Sequence, residues 1–248
     1  HRRMMKWSRS GLRRHIPPYL KVLSDIDDTL LSSGGRFPAG VDKRYPRKAL
    51  YPGVLSFYRE LDLGNAENEE WEEGNIGNLV FLTARPHVYK DLSEKFSYSK
   101  FQKFKQHHGL HTMPTLLVGN VSSGMEYMLQ GNMESLTMKK FENFEQYLAL
   151  YPEYNYIFVA DNGQGDLKAA YLMLKTYPSY VKAAYIHSVC IPLFFGRTLM
   201  LSQVKPLDDA FGFDPHAHKD SEGRKLYFFQ DYVDAALDAF QRDAPLIS

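Results

Sequence analysis

The chain has a single cysteine, Cys190, so no internal disulfide can form and nothing in the composition calls for an oxidising compartment. A surplus of charge of one sign is also missing. Thirty Lys and Arg against 29 Asp and Glu leave a formal net charge of +1, which removes any argument from overall electrostatics toward nucleic acid or membrane. The longest apolar stretches, such as Val189 to Phe195, fall well short of the roughly 20 residues of a membrane-spanning helix. The basic residues at the start are followed by no apolar core of the signal-peptide kind, and there is no internal repeat. The expectation is therefore a cytoplasmic protein. What is present is ordinary for a globular chain: 248 residues, 44% hydrophobic and 24% charged. That length suits one sizeable α/β domain and would also permit two.

Locally the charge is uneven. Arg2, Arg3, Lys6, Arg9, Arg13, Arg14 and Lys21 occupy the first 21 residues with no acid among them. Arg36, Lys43, Arg44, Arg47 and Lys48 follow, offset only by Asp42, while Glu67, Glu69, Glu70, Glu72 and Glu73 surround Trp71. Basic runs of this kind read either as solvated segments or as contacts to an anionic surface; the acidic patch reads as an exposed loop.

The most informative feature is Asp25-Ile26-Asp27-Asp28-Thr29, directly after the apolar run Tyr19-Leu20-Lys21-Val22-Leu23-Ser24. An ionised carboxylate at the end of a buried strand is costly unless it is paired or binds a metal. In extended backbone Asp25 and Asp27 project to one side, so one can attack while the other handles a proton. Further along, Asn78-Leu79-Val80-Phe81-Leu82-Thr83 is an apolar run ending in a hydroxyl, and Lys139-Lys140 opens a segment of helical period. Tyr156-Ile157-Phe158-Val159-Ala160 is closed by Asp161-Asn162-Gly163-Gln164-Gly165-Asp166. Between Lys139 and Lys140, the second shares a stripe with Phe144, Tyr147, Leu148 and Tyr151, so its ammonium points inward and needs a buried anion.

This order of motifs resembles the haloacid dehalogenase superfamily. The segments Tyr51-Pro52-Gly53-Val54, Leu82-Thr83-Ala84-Arg85-Pro86, Val181 to His187 and Phe228 to Ala236 narrow the resemblance. From about Leu20 onward the chain is similar to the catalytic domain of the phosphatidate phosphatases first named from a fungal actin-patch protein. The resemblance implies a Mg²⁺-dependent phosphatase with an aspartyl-phosphate intermediate, acting on phosphatidate or a related lipid phosphate. Asp25 would be nucleophile and metal ligand, and Asp27 acid/base, its backbone carbonyl also on the metal. Thr83 and Lys140 would bind the phosphoryl group, and Asp161 and Asp166 would complete the metal site. The alternatives are the same chemistry on a phosphoprotein or soluble ester, and a catalytically inactive phosphate- or lipid-binding module. The expected partner is a lipid phosphate at an anionic membrane surface, approached peripherally, with no nucleic acid; protein partners are expected through flanking regions. The chain departs from the family where Asn162-Gly163 stands for Ser-Gly, where His187 stands for arginine, where Met113 to Gly119 lacks a Leu-Arg pair, and where Asp28 replaces a glycine common in the superfamily.

Val54, Phe57, Tyr58 and Leu61, and again Leu167, Ala170, Tyr171 and Leu174, recur at helical spacing between the apolar runs. Strands alternating with such helices predict a parallel sheet with right-handed crossovers. The expected fold is an α/β, haloacid-dehalogenase-like Rossmannoid three-layer sandwich, residues 19–248, preceded by a basic arm, residues 1–18. Its site lies beyond the carboxyl ends of the strands. Thr115 to Val118 is the third strand and Val181 to Val189 the fifth. Leu30 to Leu50 and Gly119 to Met138 are the only room for lids, which leaves the site open. Val233, Ala236, Leu237 and Phe240 predict a closing amphipathic helix, and Val204 to Gly223 no regular structure. His107, His108 and His111 make a weak zinc candidate, because Gly109 interrupts them and no cysteine is near.

Overall fold

The computed structural model describes residues 19–35, 40–63, 77–86, 90–119, 133–162, 165–189, 191–192, 198–199, 219–220, 223–242 and 245–247. The basic arm, the acidic patch, most of the second lid region and most of the segment from 204 to 223 lie outside them.

Six strands form one parallel sheet. In chain order the elements are β1 (Tyr19–Ser24), α1 (Val54–Leu63), β2 (Leu79–Pro86), α2 (Lys90–His107), β3 (Thr115–Gly119), α3 (Met133–Leu150), β4 (Tyr154–Asp161), α4 (Asp166–Thr176), β5 (Val181–His187), β6 (Ile191–Pro192), β7 (Thr198–Leu199), β8 (Lys219–Asp220), β9 (Gly223–Arg224), β10 (Leu226–Phe229) and α5 (Tyr232–Gln241). The spatial order is β10-β5-β4-β1-β2-β3, while β6 with β7 and β8 with β9 form small antiparallel pairs. This is the Rossmann-like three-layer sandwich that the motif order predicts, with β10 an addition that its short Leu-Tyr-Phe-Phe run did not announce.

The central strands are apolar on both faces because helices cover both. On one side Val22, Phe81, Ile157, Val159, Ala183 and Tyr185 pack with Phe57, Tyr58 and Leu61 of α1 and Ala235 and Ala239 of α5. On the other, Leu23, Val80, Phe158, Ala184 and Ile186 meet Phe144, Tyr147 and Leu148 of α3 and Leu167, Ala170 and Met173 of α4. Burial on both faces is what turns a parallel strand into a continuous apolar run.

Four expectations need correction. The α3 helix begins at Met133, inside the stretch to Met138 read as lid room, and β8 and the start of β9 pair within the stretch to Gly223 expected to have no regular structure. The β2 strand continues through Thr83 to Pro86, with a register irregularity between those two residues. The α5 helix does close the sandwich, but through Tyr232, Ala235 and Ala239; Val233, Leu237 and Phe240 are 76%, 51% and 56% exposed. The inward face thus combines one large residue with two alanines, and a side chain at Gly53 would crowd Tyr232. Asp231 begins α5 by accepting hydrogen bonds from the backbone N–H groups of Val233 and Asp234, both at 3.0 Å.

Candidate active site

Strand pairing brings the predicted residues together. Ser24 of β1 stands beside Val159 of β4, and the N–H of Asp25 donates to the Val159 carbonyl at 2.9 Å. Asp25 therefore leaves the sheet just before β4 ends at Asp161. A short turn follows, Gly165 takes the left-handed conformation at φ 79°, and α4 begins at Asp166. One ligand oxygen from each of Asp25, Asp161 and Asp166 lies within 4.8 Å of the other two, and all three residues are buried. Thr83 is placed by its backbone, two residues beyond Phe81, the partner of Ser24; its hydroxyl lies outside the described part.

Lys140 arrives from α3, on the opposite layer from the loop after β1. It is 2% exposed, and its Nζ donates to Asp25 Oδ1 at 2.8 Å and to Asp166 Oδ1. Its neighbour Lys139 instead donates to Glu142 Oε2 at 3.1 Å on the outer face of the helix. Burial by itself would lower the Lys140 pKa; Asp166 and Asp25 outweigh it and hold the ammonium charged far above the usual lysine range. Burial, reinforced by Asp25 and opposed by Lys140, pushes Asp166 up to about 7. Two of the three carboxylates, Asp25 and Asp166, thus share one ammonium, Asp161 lies beside them, and the buried Asp166 Oδ2 has no hydrogen-bond partner. A hard divalent cation fits this set, since it prefers carboxylate oxygens and would offset the remaining negative charge. Among the described residues this is the only acidic or histidine group so arranged. Asp27 is half-buried on the same turn, outside that group.

Asp28 is the residue whose role the sequence left open. Its backbone sits at φ 53°, a conformation glycine adopts freely and which aspartate tolerates. Its carboxylate accepts from Ser33 N–H at 2.8 Å, Ser33 Oγ at 3.1 Å, Val41 N–H at 2.6 Å and Asp42 N–H at 3.0 Å. The chain approaches so closely there that a Cβ on Gly40 would lie 2.0 Å from Asp28 Oδ2. Asp28 is thus a loop cap, holding the first lid region folded. Beyond it, Tyr51 Oη donates to the buried Asp42 Oδ2 at 2.6 Å, and Asp42 holds Arg44.

His187, at the end of β5 and beside Asp161, is a satisfied histidine. Its Nδ1 meets the Asp28 carbonyl at 2.8 Å and its Nε2 meets Arg44 Nη2 at 3.1 Å, so Nδ1 carries the proton and Nε2 accepts. Burial, seconded by Arg44, lowers its pKa and keeps it neutral. Its ring stacks on Phe229 at 5.1 Å. The histidines at 107 and 108 are exposed, whereas His111 bonds Asp62 at 2.9 Å, which leaves no shared zinc site. The tie from Arg44 to His187 was hidden from sequence reasoning because the two residues are 143 positions apart.

The fold and the acidic centre at its strand ends define a class: α/β proteins that bring buried carboxylates and a lysine to the carboxyl edge of a parallel sheet. Residues 20–188 match the model of the family "Phosphatidate phosphatase APP1, catalytic domain", and the chain belongs to that family. It is accordingly a phosphoric monoester hydrolase, and membership implies phosphatidate phosphatase activity. No curated protein and no solved structure matches the chain.

Proposed function

We propose that the protein hydrolyses phosphatidate or a related lipid phosphate through an aspartyl-phosphate on Asp25, with Mg²⁺ as its metal, acting as a cytoplasmic enzyme peripheral to the membrane. The observation that carries this reading is the buried cluster of Asp25, Asp161 and Asp166, in which Lys140 pairs with Asp25 and Asp166. Lys140 donates to Asp25 Oδ1 at 2.8 Å and so orients it, as a nucleophile must be held if its attack is to be in line. A carboxylate oxygen of Asp25 forms the bond to phosphorus as the bond to the leaving oxygen breaks, and Asp27 delivers a proton to that oxygen. Water then attacks phosphorus, Asp27 takes its proton, and inorganic phosphate departs with Asp25 restored. Thr83 and Lys140 steady the phosphoryl oxygens. Asp25, Asp161, Asp166 and the backbone carbonyl of Asp27 would hold the Mg²⁺, which supplies electrostatic stabilisation of charge on the transferring group.

No helix among the described residues is long and apolar enough to cross a membrane, which suits peripheral action. The test is phosphate release from phosphatidate vesicles, phosphopeptides and soluble esters, with Mg²⁺ or with a chelator, alongside acid-quenched labelling of the protein. The expected result is metal-dependent turnover with preference for phosphatidate and an acid-stable, hydroxylamine-labile phosphoenzyme mapped to Asp25. Preference for the phosphopeptides or soluble esters would overturn the lipid substrate. Turnover with no label even in Asp27→Asn would overturn the covalent route.

A further inference from the structure

The stretch from Val41 to Ala49 carries Asp42, Lys43, Arg44, Arg47 and Lys48, and the structure divides these charges into two groups. Asp42 is buried and grips Arg44 at two points, Nε to Oδ1 at 3.0 Å and Nη2 to Oδ2 at 2.9 Å. Because Nη2 also reaches His187, this stretch is fastened over the carboxyl end of β5, whose last residue pairs with Asp161. Lys43, Arg47 and Lys48 form the second group. All three are exposed, and the stretch's single acid is already engaged by Arg44.

These three cations stand on a fixed platform. Ser32 N–H donates to the Ala49 carbonyl at 2.9 Å, Lys48 N–H donates to the Ser32 carbonyl at 2.7 Å, and Asp28 caps Val41 and Asp42. The stem of Lys43 lies over Gly35 and the Cβ of Arg47 over Gly34, where added methyl groups would come within 2.3 Å and 2.9 Å respectively. Binding a partner therefore requires little ordering of the backbone, which is where a floppy basic loop loses affinity. The chemistry of the partner follows from what accompanies the charges. A single-stranded nucleic acid calls for aromatic faces on which bases stack; the aromatic residue here, Tyr45, is half-buried edge-on against Tyr51 at 5.3 Å. Point charges on a rigid rim suit a surface of anionic headgroups.

We propose that Lys43, Arg47 and Lys48 form a preset docking face for an anionic lipid bilayer, seated on the rim of the active site. The proposal rests on the lipid-phosphate reading of that site, and gives it an orientation: the carboxyl ends of the strands face the headgroups. Arg44 belongs to the frame of this face and not to its contact set.

The test is flotation of the full chain with vesicles of phosphatidylcholine alone or mixed with phosphatidylserine, comparing wild type with the Lys43→Gln/Arg47→Gln/Lys48→Gln variant. Wild type binds the mixed vesicles, weakens between about 0.05 and about 0.2 M salt, and ignores phosphatidylcholine alone. The triple variant partitions on the order of 100-fold less, about fivefold per charge, while its turnover of a soluble phosphate ester stays within about twofold of wild type. Equal partitioning of the two proteins overturns the proposal, as does preferential binding of single-stranded RNA over the vesicles. An equal loss on the soluble ester also overturns it, since the stretch would then serve the site itself. Charge-dependent vesicle binding without phosphatidate turnover supports the docking face and retires the lipid-phosphate reading, so the two fail separately.

Discussion

Both ends of the sheet bury charged side chains, but they balance them differently. At the carboxyl ends Asp25, Asp161 and Asp166 cluster around one lysine that pairs with Asp25 and Asp166, and Asp166 keeps an oxygen without a partner. At the amino ends Asp62, near the close of α1, accepts from the backbone N–H of Asn78 at 2.8 Å and 3.0 Å and from His111 at 2.9 Å. Lys21 lies beside it, donating to Asn78 Oδ1 at 3.3 Å with its Nζ 4.1 Å from the ring centroid of Tyr154. Burial there brings the Lys21 pKa down to about 8, even though Asp62 and Glu153 oppose the shift. At the amino end the Asp62 carboxylate is matched by donors from within the protein, which ties α1, β1, β2 and the approach to β3 together. The carboxyl end carries an excess of negative charge that only an added cation or the charge flow of a reaction can use. A buried ion pair is weak evidence of function by itself; a buried imbalance is stronger.

The comparison is most sharply broken at the nucleophile. Asp25→Asn keeps the volume and removes the attacking oxygen, so turnover falls by at least about 10³-fold, on the order of 4 kcal/mol in the barrier, while circular dichroism shows an intact fold. Phosphate release within about tenfold of wild type would remove the case for the covalent step.

Lys140→Met comes next. Its activity falls by about 10²-fold or more, and the metal-free protein loses roughly 3–5 kcal/mol, because the carboxylates lose their counter-charge. Lys139→Met stays within about twofold in activity, since its partner Glu142 is on the outer face. Steady-state assays paired with chemical denaturation check both variants. Equal effects at the two lysines would mean that the helix phase carries no functional weight.

Mg²⁺ should raise the melting temperature of wild type, by an amount equivalent to about 2.7 kcal/mol when the ion is at 100 times its dissociation constant, and Asp161→Asn should abolish that rise. The pH dependence follows from Asp166. Its folded pKa is raised from 3.8 to about 7, so between those values the folded, metal-free chain holds a proton that the unfolded chain has released. The contribution of this group to stability therefore declines as pH rises through that window, and saturating Mg²⁺ should flatten the decline. Melts across the window with chelator and with Mg²⁺ test it.

At the other end the effect falls on stability and not on turnover. Asp62→Asn leaves one of its buried partners unmatched and lowers stability by about 1–3 kcal/mol with kcat unchanged. The smallest effect belongs to the outer face of α5: Leu237→Gln and Phe240→Gln shift stability by no more than about 0.5 kcal/mol, because neither side chain is buried. A large destabilisation there would return that stripe to the core.

Much of the fold was legible because it depends on local pattern. Continuous apolar runs ending in Asp25, in Thr83 and in Asp161 announced strands buried on both faces, and the spacing of Phe57, Tyr58 and Leu61 announced the helix between the first two. The phase of Lys140 was legible for the same reason, since a stripe with Phe144 and Tyr147 has only one inward side. The α5 stripe misled because periodicity shows that a helix has two faces without showing which one meets the protein. The face that packs carries Tyr232, Ala235 and Ala239, and the elements around the helix decide that, not its period.

Spacing along the chain alone determined that carboxylates, a hydroxyl and a lysine would each follow a buried element, because strand and helix periods fix the side on which a residue emerges. Only the tertiary structure decided what those groups do to one another. Lys140 reaches Asp25 across 115 positions and Arg44 reaches His187 across 143. Asp28 became a loop cap because the returning chain brings Ser33, Val41 and Asp42 onto its carboxylate. Such pairings depend on how sheet order and crossovers fold distant segments onto one edge, and no period in the sequence encodes a distance between segments that meet only after the sheet has formed.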